Sequence, residues 1–97
     1  MKAYLILDFT VNDLRGFMPY VEAIPAFIAR HGGRYLVQGA VPTTIEGDWR
    51  PERLVVLEFP ARANAEAFLA DPECQDLFRV RHATTTSRLV LVDGPPD

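Results

Sequence analysis

The 97-residue sequence predicts an α+β fold of the ferredoxin-like kind, β-α-β-β-α-β, and three observations carry that prediction. Apolar residues switch between the alternating period of strands and the longer period of helices in that order. Prolines and glycines fall at the switches. The chain has room for one core only, since domains run to ~100–150 residues, so 1–97 is read as a single ferredoxin-like domain.

The first strand is residues 3–10, where Leu5, Leu7 and Phe9 alternate with Tyr4, Ile6 and Asp8 to give two largely apolar faces. Over residues 13–31 the period changes, and Phe17, Tyr20, Val21, Ile24, Phe27 and Ile28 recur on one helical face. Asn12 or Asp13 supplies a cap. Pro19 fits the opening turns if the regular helix starts late, whereas Pro25 removes a donor inside the stripe and should bend it. Gly32-Gly33 ends the helix. Residues 34–41 return to strand character, and Pro42 to Pro51 form a connection rich in turn formers. Leu54, Val55, Val56 and Leu57 in segment 53–59 are apolar without alternation, as suits a central strand covered on both sides, and Pro60 stops it. An alanine-rich helix over 61–70 turns Ala65, Phe68 and Leu69 inward. Asp71-Pro72-Glu73 restarts helix by placing a capping acid before a proline, and the new piece aligns Cys74, Leu77, Phe78 and Arg81 on one face. The last strand is 88–92, with Thr84 to Ser87 as its solvated lead-in.

This order gives a four-stranded antiparallel sheet with helices on one face. The first, third and fourth strands are apolar on both sides, so something must cover the other face. A second copy is the simplest cover, which makes the expected partner the chain itself, as a homodimer packed sheet to sheet. Thirteen acidic residues against ten basic ones leave a net charge of −3, without the cationic surplus that holds nucleic acid. The third strand also offers aliphatics where an RNA-binding sheet needs exposed aromatics. No long apolar run suggests a membrane partner. Cys74 alone cannot form an intramolecular disulfide and no leader-like segment opens the sequence, which points to a reducing, cytoplasmic setting. His31, His82 and Cys74 never approach metal-ligand spacing, and no glycine-rich phosphate loop follows a strand, so no metal or cofactor is expected.

Candidate chemistry resides in polar residues set among apolar ones. His31 follows Phe27 and Ile28 onto the buried side of the first helix. It is read either as a pocket base or as a histidinium satisfying helix-end carbonyls. Arg81 extends an apolar stripe, and a buried guanidinium needs an acidic partner or an anionic ligand. Glu58, the only charge within the third strand's apolar run, is one internal partner, and Asp8 and Glu46 are others. Trp49 lies in a turn with Glu46 and Arg53, either lining a pocket or packing on the sheet or a dimer interface.

Together these residues describe a cleft between helices and sheet that binds a small organic molecule. Arg81 would orient a carboxylate or enolate, His31 would move a proton and Glu58 would complete the polar set, while Tyr20, Glu46, Trp49 and Arg53 would contact the ligand. The rival reading is a noncatalytic dimeric module whose partner is another protein.

Several segments also carry a resemblance. His31-Gly32-Gly33-Arg34-Tyr35-Leu36, Glu46-Gly47 with Trp49 and Pro51, Arg53 leading to Glu58-Phe59-Pro60, then Ala67 and Asp71-Pro72-Glu73 before Arg81, follow one order over nearly the whole chain. In that order they resemble the small bacterial proteins of domain-of-unknown-function family 1330. The resemblance implies the dimeric α/β barrel superfamily, which also contains small cofactor-independent monooxygenases, haem-degrading proteins and lactone isomerases. Chemistry of a monooxygenase or isomerase kind would be the catalytic version of the cleft, although the family itself has no settled activity. By the same resemblance His31, Glu46, Trp49, Arg53, Glu58 and Arg81 occupy positions that the family pattern specifies. The family usually shows a tyrosine where this chain has Cys74.

Overall fold

A computed structural model describes residues 1–97. The elements are β1 (Ala3–Val11), α1 (Leu14–Arg30), β2 (Arg34–Ala40), β3 (Arg53–Phe59), α2 (Arg62–Ala70), a 3-10 turn (Pro72–Cys74), α3 (Gln75–Thr84) and β4 (Thr85–Asp93). The strands form one antiparallel sheet in the order β2-β3-β1-β4, the ferredoxin-like arrangement that the sequence predicts. β1 and β3 are central, which explains why both carry apolar residues on both faces.

Register divides the sheet into two surfaces. On the helix side Leu5 lies between Leu57 and Leu91, and Leu7 between Val55 and Leu89. On the outer side Tyr4 lies between Glu58 and Val92, Ile6 between Val56 and Val90, and Asp8 between Leu54 and Arg88. The inner surface packs on Phe17, Ile24 and Ile28 of α1, Phe68 of α2 and Phe78 of α3, and Phe59, Leu5 and Cys74 are the largest of the fully buried side chains. No helix is long and apolar enough to cross a membrane.

Helix α1 starts directly at Leu14, with Asp13 accepting from the Gly16 amide at 3.0 Å as its cap. Pro19 therefore sits inside the helix and not in a delayed first turn, and together with Pro25 it deprives the carbonyls of Arg15 and Val21 of their amide donors. The helix ends in a Schellman arrangement. The Gly33 amide donates to the Ile28 carbonyl at 2.9 Å and the Gly32 amide to that of Ala29 at 3.0 Å, with Gly32 at φ +80°. Gly33 is required for a different reason: a Cβ there would lie 2.6 Å from the Phe59 ring.

Two strands depart from expectation. β4 begins at Thr85, so the expected solvated lead-in of Thr84 to Ser87 is corrected: Thr85, Thr86 and Ser87 pair with Val11, Thr10 and Phe9. Buried Thr84 and Thr85 satisfy their hydroxyls on the preceding helix turn, donating to the carbonyls of Val80 at 2.7 Å and Arg81 at 2.6 Å. β2, at one edge, shifts register twice against β3, between Tyr35 and Val37 and between Gln38 and Ala40, with Gly39 at φ +83° in the second shift.

Candidate functional site

A cavity of about 500 Å³ lies between the helices and the inner sheet surface. Its walls are mostly apolar, with Leu5, Leu7 and Phe9 of β1 facing Phe17, Ile24 and Ile28 of α1. Among its polar lining are Tyr20, Arg53 and Arg81, three of the seven residues singled out in the sequence, with Glu52 and Gln38 beside them.

Arg81 is 6% exposed, and no carboxylate comes within salt-bridge distance of it. Its Nη2 donates to Nε2 of His82 at 3.3 Å, and its Nε is buried with no hydrogen-bond partner. The guanidinium carbon instead lies 5.5 Å from the centre of the Phe78 ring and 5.8 Å from that of Tyr20. Stacking of this kind orients a guanidinium without neutralising it. Burial pushes the Tyr20 phenol up to about 12, against the pull of the Arg81 charge, so at neutral pH it keeps its proton. Arg81 and Tyr20 thus offer N–H and O–H donors, and no base, to whatever occupies this part of the cavity.

The internal ion pairs considered for Arg81 do not form, because all three acids lie elsewhere. Asp8 faces the outer surface, where it accepts from Nε1 of Trp49 at 2.8 Å and meets Nη2 of Arg88 at 3.1 Å. Glu46 is exposed in the connection between β2 and β3. Glu58 alternates with inward Leu57 and Phe59, so it too points outward, accepting from Nε of Arg34 at 2.9 Å and the Tyr4 hydroxyl at 3.2 Å, with Lys2 at 3.6 Å. The hydrogen bond from Arg34 is the main reason its carboxyl is held below the usual range. The expected grouping of His31, Arg81 and Glu58 in one cleft is corrected on this ground: a single strand cannot send Glu58 inward while Leu57 and Phe59 are buried there.

His31 is absent from the cavity wall. It caps the C-terminus of α1, and its Nε2 lies 2.8 Å from Asp71 Oδ2, while its ring meets Phe68 edge-on. Asp71 also accepts from the Glu73 amide at 3.0 Å and from Nη1 of Arg30 at 3.3 Å. These contacts, led by that with His31, hold the Asp71 carboxyl below its ordinary value. The cluster ties the end of α1 to the 3-10 turn before α3. Trp49 is also outside the cavity, 53% exposed over Ile6 and Val90 on the outer surface. Arg53 sits at the cavity mouth, donating to the Gly39 carbonyl at 3.2 Å.

Glu52 and Gln38 at the mouth were not marked by the sequence. Gln38 reads as one more residue of an edge strand, and the register shift beside it cannot be read from residue type. No three His, Cys, Asp or Glu side chains converge as a metal site.

Comparison with known proteins gives a family and a fold. The family model described as a domain of unknown function, DUF1330, matches residues 2–95. No curated protein matches the chain. Among solved structures, the chain is similar to the RPA0582 protein of unknown function from Rhodopseudomonas palustris, with 16% identity and a TM-score of 0.79 over 99% of this chain and 84% of that one. SnoaB from Streptomyces nogalater, described as a cofactor-independent oxygenase, is 20% identical with a TM-score of 0.70, over 99% and 95% of the two chains. A dimeric ferredoxin-like protein of unknown function from Jannaschia sp. CCS1 is 12% identical with a TM-score of 0.73, over 97% and 100%. At these identities the likeness establishes the shared fold.

Proposed function

The chain belongs to the DUF1330 family, and from that footing we propose that it binds a small organic anion in the cavity between helices and sheet, with Arg81 as the anchor. One observation carries the reading: a guanidinium 6% exposed, lining the cavity, has no carboxylate partner in the chain. A buried charge is tolerated when it is paired, and an anionic ligand would supply the missing pair. Tyr20, held protonated, is placed to donate beside it. The group facing Arg81 is thus a donor and not a base, which supports binding ahead of the monooxygenase-like or isomerase-like turnover that the superfamily suggests.

We further propose that the outer sheet surface covers itself with a second copy. Val90 and Val92 are 57% and 45% exposed there, and several proteins of this fold are described as dimeric. Sedimentation should give twice the 10.9 kDa chain mass, and Ile6→Lys should reduce it to one chain or unfold the protein. A well-folded wild-type monomer at micromolar concentration would remove this part.

Melting measured across a panel of organic acids tests the binding reading, because a ligand that prefers the native state raises Tm with concentration. Carboxylates should raise it in the wild type and lose that effect in Arg81→Met. A protein whose Tm no acid moves would leave the rival reading, a noncatalytic interaction module, in its place.

A further inference from the structure

We infer that each chain completes a notch on a second copy of itself: Ile45, in the connection between β2 and β3, inserts beside Trp49 on the other copy's outer sheet surface, and the contact is returned. This deepens the dimer reading above, on which it rests, by naming the side chains that lock it.

The notch has a volume of about 290 Å³ and is lined by Trp49, Ile6 and Val90, with Asp8 and Arg88 as its charged members. Trp49 forms it by reaching from the connection to Asp8. The indole stays 53% exposed and Val90 57%, so apolar surface is left open on both sides of the gap. The side chain that would fill it comes from the same connection. Ile45 is 90% exposed, more than any other large apolar residue of the chain. Its turn is held in shape, because the Thr44 hydroxyl donates to the Trp49 carbonyl at 2.7 Å and Gly47 takes φ +84° between them. An aliphatic side chain presented from a fixed turn carries a smaller ordering cost into association than one on a free loop.

Ile45 and the notch are neighbours in each chain, since the turn that carries Ile45 closes on the backbone of Trp49. A twofold axis passing beside them makes both insertions at once, so the contact closes on two copies and does not run on to a third. Charge agrees with this occupant. Asp8 is 8% exposed and already meets Trp49 and Arg88, whereas the Arg88 side chain is 77% exposed, so the notch shows a cation to whatever approaches. The turn beside Ile45 carries Glu46 and Asp48, both exposed and neither within salt-bridge distance of a base in its own chain. A second copy thus brings the apolar side chain, the complementary acids and the symmetry together, and Val90 and Val92 continue the contact along the outer surface.

Sedimentation equilibrium and cross-linking test the insertion. Ile45 is almost wholly exposed in its own chain, so Ile45→Ser should keep the wild-type circular dichroism spectrum while raising the dimer dissociation constant about 100-fold, because the side chain leaves water twice per dimer. Glu46→Lys, which turns an attraction to Arg88 into a repulsion, should raise it about three- to tenfold. Ile45→Cys and Val90→Cys chains refolded together and treated with a short bismaleimide should give a covalent dimer. Leu14→Cys with Val90→Cys should not, since Leu14 belongs to the helix side. A dimer as tight in Ile45→Ser as in the wild type, or a dimer that forms without linking position 45 to position 90, would overturn the insertion and leave sheet-to-sheet pairing standing. A wild-type chain that sediments as a folded monomer would overturn both.

Discussion

Asp8 and Arg81 are ionisable residues less than a tenth exposed, on opposite sides of the same sheet, and the chain treats them differently. Asp8 is closed in by Trp49 and Arg88, whereas Arg81 meets two aromatic faces and a histidine nitrogen. A charge compensated within the chain stabilises the fold as it stands; one left uncompensated reserves its partner's place for a molecule outside the chain. The outer carboxylate is thus paired within the chain, and the inner guanidinium is not.

Neighbouring residues on the two surfaces should respond unequally. Leu5→Ala, at 2% exposure on the inner side, should cost about 2–5 kcal/mol in urea unfolding, because a cavity opens where nothing can collapse. The contrast between the two charges is sharper in sign than in size. Asp8→Ala should lose about 0.5–1.5 kcal/mol, since it removes the hydrogen bond from Trp49 and the contact with Arg88, while Arg81→Met should stay within about 1 kcal/mol of wild type or exceed it. Equal losses from both would erase the distinction drawn between the two surfaces.

A third charged cluster, at the end of α1, sharpens the comparison through pH. Asp71 has its folded pKa depressed, so its contribution is fully present above the unfolded value and is lost as pH falls through the folded one. His31→Gln removes the largest cause of that depression. Urea midpoints measured from neutral pH downward should therefore fall at a higher pH in the variant than in the wild type, and coincident curves would show that the contact adds nothing. The smallest effect concerns Cys74, whose thiol is fully buried and pushed up to about 11, chiefly by burial. Native protein should resist alkylation by iodoacetamide until denaturant is added; rapid labelling would mean that the α3 face opens readily.

The order of elements and the outer surface were legible because they rest on periodicity, which residue type reports directly. Ile6 and Val56 outward and Leu5 and Leu57 inward follow from alternation alone. The same alternation, applied to Glu58 between two buried neighbours, would have turned it away from Arg81; attention to its charge obscured its parity. Trp49 was harder, since a twelve-residue connection has no period and its reach to Asp8 depends on the path it takes. The partnership of His31 with Asp71 joins residues forty positions apart through the packing of α1 on α3 and the turn that precedes it, which neither local pattern contains. Arg81 was placed on a buried stripe, as it is, but only three-dimensional placement of every acid showed that none pairs with it.

The two register shifts in β2 limit how copies of the chain can add to one another through their edges. β4 offers nine regularly paired residues at one edge, while the opposite edge is bent by the shift at Gly39 and begins with a charged Arg34. A fibre grown edge to edge needs two competent edges on every molecule, and here one is blunted. Pairing through β4 would use up the only regular edge and stop at two molecules, so growth by strand addition terminates where an open-ended aggregate would continue.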